Sequence, residues 1–306
     1  MTIPELTEVV ARVAALLGAR EGGVSLLEGG ITNRNYRVCL GGTNYVVRLP
    51  GKDTELLGID RGAECAANKR AAELGIAPPV AAFLEDPSSL VTHFVVGDMM
   101  EPAELREAEN LGKVAAALRE FHGSGAELGV DFDGVATAER YAATVERLGG
   151  EPPHGLAEAL DRGRAIREAA TGLGEHRAVP CHDDLLSYNF LRSGERLLIV
   201  DWEYAGMGDR WFDLGNFAAH NDLDDDQEVL FLTKYFGEPP DDARRAWLRL
   251  FRWLSDLREA MWALVQAAVS EVDFDFAGYS RRHMERVVAA GPSVEGWLRE
   301  ARVAGP

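Results

Sequence analysis

Residues 179–206 read VPCHDDLLSYNFLRSGERLLIVDWEYAG, and this stretch decides the fold. Two strand-like runs, 190–192 and 197–200, flank Ser193-Gly194-Glu195-Arg196, so the chain is expected to reverse near Gly194 and return antiparallel. Counting back from that turn sets Asn189 opposite Val200. Asn189 and Asp201 then emerge side by side at the open end of a hairpin, with Asp184 in the loop just before them. An amide oxygen and a carboxylate so placed suit Mg²⁺, which takes one or two protein oxygens and leaves its other positions to phosphates and water. A second carboxylate nearby can orient a hydroxyl and take its proton. A metal ion that neutralises phosphate oxygens and a base for the nucleophile are the main parts that phosphoryl transfer needs. Within the stretch, His182, Asp184 and Asn189 form H-x-D-x-x-x-x-N.

Upstream, residues 24–27, 35–40 and 43–49 alternate or run apolar with glycine-containing turns between them, the pattern of an antiparallel meander. Residues 61–74 read as a helix that Pro78 and Pro79 end, and strand-like runs follow at 80–84 and 90–96 across Glu85-Asp86-Pro87-Ser88. Beyond Gly97 the chain turns helical, at 102–122, 136–148, 154–172, 224–236, 240–271 and 279–303, with one β island at 178–202. A strand-rich part followed by a helix-rich part predicts an α+β fold of two lobes, 1–96 and 97–306, with a ligand cleft between them.

The 306 residues carry 32 basic and 50 acidic side chains, a formal charge of -18 that opposes broad contact with nucleic acid or an anionic membrane and favours a cationic small molecule. No apolar run reaches the ~18 residues of a membrane span, and MTIPELTEVVARVAALLGAR has acids where a signal peptide would be basic or greasy. Cys39, Cys65 and Cys181 match neither a zinc site nor a disulfide framework. A reducing, cytoplasmic setting is the expectation.

VPCHDDLLSYNFL followed by LLIVDWEYAGMGDRWFDLGNFA resembles the choline/ethanolamine kinase branch of the aminoglycoside-phosphotransferase-like kinases, in particular the bacterial choline-kinase type. GGITNRNYRV and YVVRLPGKDTELLGIDRGAECAAN extend the resemblance toward the N-terminus. It implies a protein-kinase-like two-lobed fold with ATP as donor, Mg²⁺ as cofactor and a small amino alcohol as acceptor. It also implies Asp184 as base with His182 supporting its loop, Asn189 and Asp201 as metal ligands, and Asp213 as a support of the metal loop. Arg48 would contact the nucleotide phosphates and pair with Glu64, while Thr32 and Asn33 would lie in a phosphate-covering turn, and His93 and Val95 would complete the nucleotide set.

For the acceptor, the resemblance points to Glu203, Tyr204 and Trp262, since aromatic faces and carboxylates hold an ammonium. Along 247–268 the residues Leu250, Leu254, Leu257, Met261, Leu264 and Ala268 form an apolar stripe, and Ser255, Glu259, Trp262 and Gln266 form a more polar one. Trp262 is therefore expected off the main core face. Glu259 stands where choline kinases commonly have a second tryptophan, which suits an amine bearing N–H donors. An aminoglycoside, thiamine or sugar kinase, a nucleotide-binding regulatory pseudokinase and a metal-dependent phosphohydrolase are the alternatives. The last needs clustered ligands, and the seven histidines are scattered in the sequence.

Overall fold

The computed structural model describes residues 3–27, 33–51, 54–86, 88–172, 178–270 and 272–303. Helix α1 (Ile3–Leu16) precedes the meander β1 (Glu21–Leu27), β2 (Arg34–Leu40) and β3 (Thr43–Leu49). Helix α2 (Arg61–Glu73) follows, capped by Asp60, whose carboxylate accepts from the Ala63 amide at 2.8 Å. Strands β4 (Val80–Glu85) and β5 (Ser88–His93) complete an antiparallel sheet ordered β1-β2-β3-β5-β4. The two-residue alternation puts Val38, Leu40, Val47, Leu49, Leu84 and Val91 on one face, where they pack with Val9, Val10 and Val13 of α1 in a core of their own. The alanines Ala63, Ala67 and Ala71 of α2 belong instead to the core of the helical part. This helix therefore joins the two lobes of the α+β fold.

Strand β6 (Asp98–Met99) leads into α3 (Pro102–Leu105) and α4 (Ala108–His122), where a single helix was expected. Then come α5 (Gly134–Arg147), α6 (Leu156–Gly172), β7 (Val179–Cys181), β8 (Phe190–Ser193), β9 (Arg196–Ile199) and β10 (Gly206–Gly208). The anticipated hairpin is β8–β9, with Gly194 at φ 60° in its turn. Its register pairs Phe190 with Ile199, and the Val200 amide donates to the Asn189 carbonyl at 2.9 Å. Strand β6 adds to the outer edge of β8, while β10 pairs with β7, so the β island is two small sheets.

Helices α7 (Arg210–His220), α8 (Asp225–Phe236), α9 (Asp242–Val269), α10 (Phe276–Ala290) and α11 (Val294–Val303) finish the chain. The 279–303 helix of the sequence reading is interrupted at Gly291–Ser293. At the centre lies α9, packed by α5, α7, α10 and α11. Gly215 lets α7 approach it closely, because a Cβ there would come within 2.5 Å of the Phe251 backbone. The expected two stripes on α9 do not separate core from solvent. Ser255, Glu259, Trp262 and Gln266 are buried as fully as Leu254 and Met261, because neighbours cover both faces. Among the described residues, no helix is long and apolar enough to cross a membrane.

Candidate active site

Strand β7 ends at Cys181 and delivers the loop 182–189 onto α7. The Asp213 carboxylate accepts from the His182 amide at 2.9 Å with Oδ2 and from the Asp183 amide at 2.7 Å with Oδ1. The His122 ring completes this shell, with Nε2 at 2.9 Å from Asp213 Oδ2 and Nδ1 at 2.7 Å from the Tyr235 hydroxyl. One tautomer satisfies both contacts: Nε2–H donates to Asp213, and Nδ1 accepts from Tyr235. Burial alone would raise Asp213, but its hydrogen bonds from His122 and from the His182 amide outweigh it and keep the carboxyl below the usual range. One turn on, Asn216 Oδ1 accepts from the Leu185 amide at 2.5 Å. These bonds hold Asp183 at φ 66°, a left-handed conformation costly for a residue with a Cβ.

His182 spends both ring nitrogens on backbone: Nδ1 accepts from the Asp184 amide at 3.2 Å, and Nε2 lies 3.0 Å from the Val200 carbonyl. Its ring packs on Trp202 with centroids 4.5 Å apart, and burial lowers its pKa, which favours the neutral form that this pattern requires. His182 therefore ties the loop to the hairpin. Asn189 donates its amide N–H₂ to the Asp184 carbonyl at 2.8 Å and to Asp184 Oδ2 at 3.3 Å, so its side-chain oxygen is the atom that could hold a cation. Burial pushes Asp184 up to about 8 despite the opposing pull of Arg258, with Glu259, Asp201 and Glu203 adding to the rise.

Asp201 follows the hairpin at φ 66° and lines a cavity of about 340 Å³ together with Arg48, Glu64, His93 and Val95. Arg48 on β3 and Glu64 on α2 pair as expected, at 2.8 Å, and Arg48 Nη1 also donates to Asp201 Oδ1 at 2.6 Å. Arg61, unremarked in the sequence, donates from Nη1 to Glu64 at 2.8 Å and Glu203 at 3.1 Å, and from Nη2 to Asn33 Oδ1 at 3.1 Å. Two guanidiniums thus face three carboxylates, Glu64, Asp201 and Glu203, one acid more than the bases balance. Hard oxygen donors with unbalanced negative charge fit a divalent cation such as Mg²⁺. Asn33 is buried and donates to Glu203 Oε2 at 2.8 Å, whereas Thr32 lies outside the described residues. Glu203 is lifted to about 7, first by burial and then by Asp201, against the pull of Arg61 and Arg48.

On the other side of Asp184, the Tyr204 hydroxyl accepts from Trp262 Nε1 at 2.9 Å. The sequence reading missed Arg258, whose guanidinium lies 4.6 Å from the Tyr204 ring centroid and donates to Asp184 Oδ1 at 3.2 Å. Glu259 does not stand open: Oε1 receives Arg258, and Oε2 receives the Tyr279 hydroxyl at 2.9 Å. Burial would raise Glu259, but Arg258 overcomes it and holds the carboxyl down at about 2. Tyr279 and Phe276 flank Trp262, with centroids at 6.1 and 5.8 Å, and Phe274 packs on both. With Tyr204, this aromatic group arises from three separate segments, which kept it out of any single-segment reading.

Residues 23–248 match the family described as phosphotransferase enzyme family. A relative named probable ethanolamine kinase from Arabidopsis thaliana is 28% identical over 293 residues, spanning 84% of this chain and 76% of that protein. The crystal structure of a choline/ethanolamine kinase family protein from Mesorhizobium loti superposes with a TM-score of 0.81 at 28% identity, covering 98% and 99% of the two chains. For the fold alone, the choline kinase LicA from Streptococcus pneumoniae is similar, with a TM-score of 0.73 at 24% identity over 94% and 99% of the chains.

Proposed function

The chain belongs to the phosphotransferase enzyme family, and we propose that it moves the γ-phosphate of ATP onto the hydroxyl of a small amino alcohol. The observation that carries this reading is the convergence at one hairpin mouth: Asp201 on the wall of the Arg48–Glu64 cavity, Asn189 beside it, and Asp184 bonded to Asn189. Nucleotide enters the cavity, where Arg48 reaches its phosphates. Asn189 and Asp201 would hold Mg²⁺, which when bound neutralises phosphate oxygens and lowers the barrier to transfer. Asp184 orients the acceptor hydroxyl and accepts its proton at Oδ2, the oxygen turned toward Asn189.

Glu259 is spent on Arg258 and Tyr279 and so is not open to an acceptor N–H, and one face of Tyr204 already carries Arg258, so neither residue ranks a quaternary ammonium against one bearing N–H donors. The relatives named as ethanolamine and choline kinases support the same class of acceptor. Phosphate transfer from ATP, measured across ethanolamine, aminopropanol, choline, a neutral sugar and an aminoglycoside, tests the proposal. Ethanolamine, aminopropanol or choline should give the highest kcat/KM, and turnover only with the neutral sugar would overturn it.

A further inference from the structure

Arg258 is 1% exposed on α9, a full-length cation in the protein interior that such a position disfavours unless its partners compensate. Its partners are specific. Nη1 donates to Asp184 Oδ1 at 3.2 Å and to Glu259 Oε1, Nη2 donates to the Asp183 carbonyl at 3.1 Å, and the guanidinium lies over the Tyr204 ring. We propose that Arg258 is a positioning residue for Asp184, itself held by Glu259; this rests on reading Asp184 as the base that takes the acceptor proton.

A carboxylate held at one oxygen only can still turn about its Cβ–Cγ bond, a torsion with broad wells. Asp184 is held at both. Asn189 reaches Oδ2 at 3.3 Å and Arg258 reaches Oδ1 at 3.2 Å, which fixes the carboxylate plane and leaves Oδ2 for the hydroxyl. The same guanidinium grips the Asp183 carbonyl, so carboxylate and backbone are located by one planar fork. A lysine ammonium supplies the charge but lacks the rigid fork that joins both contacts. Glu259 is in turn fixed by the Tyr279 hydroxyl from α10, so the packing of α10 on α9 reaches the base through two side chains.

The test is a double-mutant cycle on folded protein: R258M, D184A and the pair, assayed with the wild type's best acceptor, water included, at saturating Mg²⁺-ATP. R258M should lower kcat on the order of 100-fold, within the range assigned to a positioned general base, and change the ATP KM less than about twofold. In the D184A background the same substitution should cost less than about threefold, because its target is gone. R258K should fall between the wild type and R258M, and guanidinium in solution should restore part of the activity of R258A. Should R258M fail to fold, R258K carries the test alone, with about tenfold lower kcat expected. Wild-type kcat in R258K or a folded R258M, or losses that simply multiply in the double variant, would overturn the proposal. Preference of the wild type for an acceptor other than an amino alcohol would sink the acceptor reading while leaving this cycle readable.

Discussion

Replacing Asp213 with asparagine changes one atom and tests how the catalytic loop is held. The carboxylate takes three hydrogen bonds, from the His182 amide, the Asp183 amide and His122, all out of water. An asparagine keeps one oxygen and turns an N–H₂ toward at least one donor. With its oxygen in the Oδ2 position it retains His182 and His122 and strands the Asp183 amide; flipped, it strands the other two. One buried donor left unpaired costs about 1–3 kcal/mol, and the surviving bonds lose their charge assistance, so the total is about 3 kcal/mol. At roughly 2 °C per kcal/mol for a chain of this size, D213N should melt about 6 °C lower. The stranded amide belongs to the residue before Asp184, held at φ 66°, so relaxation there displaces the base and should cut kcat at least about tenfold. Thermal unfolding by circular dichroism and steady-state kinetics give both readouts. A melting point within 1–2 °C of the wild type together with unchanged kcat would refute the reasoning.

Asp183 is fully buried, its carboxyl oxygens lack a well-formed hydrogen bond, and burial followed by the nearby Asp213 charge drives its pKa well up. The folded chain keeps a proton that the unfolded chain releases above about pH 4, so stability falls as pH rises through that window, by up to about 1.4 kcal/mol per unit. D183N, which tolerates the left-handed backbone, should melt higher than the wild type by a margin that widens from pH 5 to pH 8; a constant margin would contradict this. With burial holding Asp184 near 8, kcat/KM for the acceptor should climb as pH rises through neutrality to about 8, since the ionised carboxylate is the active form. A flat profile across that interval would argue against Asp184 as base. R48K loses the shared contact of Arg48 with Glu64 and Asp201 and should raise the ATP KM about tenfold while leaving the acceptor KM within twofold. Equal rises in both constants would move Arg48 out of the nucleotide site.

The hairpin register was legible because strand alternation and a glycine turn fix it locally, and Val200 does pair with Asn189. The helix beneath the loop was not. Residues Trp211 to Ala219 of α7 are buried on every side, and its polar Asp213 and Asn216 turn inward to the loop rather than out to solvent, against the apolar-in, polar-out rule. Its Asp213 was anticipated by resemblance, whereas Asn216, which holds the Leu185 amide, went unremarked. Arg258 escaped for a different reason: a charged residue on a long helix reads as solvent-facing, and only its contacts with the 183–184 loop and Tyr204, distant in sequence, show it enclosed. Strands β6 and β10, of two and three residues, are too short to carry an alternation. Arg61 and the aromatic group around Trp262 come from contacts between distant segments, which periodicity cannot supply.

The central claim is that Asp184 takes the acceptor proton while Asn189 and Asp201 serve the nucleotide side, and D184A separates the two. Transfer to the best amino alcohol and Mg²⁺-ATP affinity by titration calorimetry are measured on the same folded variant. In D184A, kcat should be lower by about 10²–10⁴ with the Mg²⁺-ATP Kd within about threefold of the wild type. Near-normal turnover in D184A would contradict it.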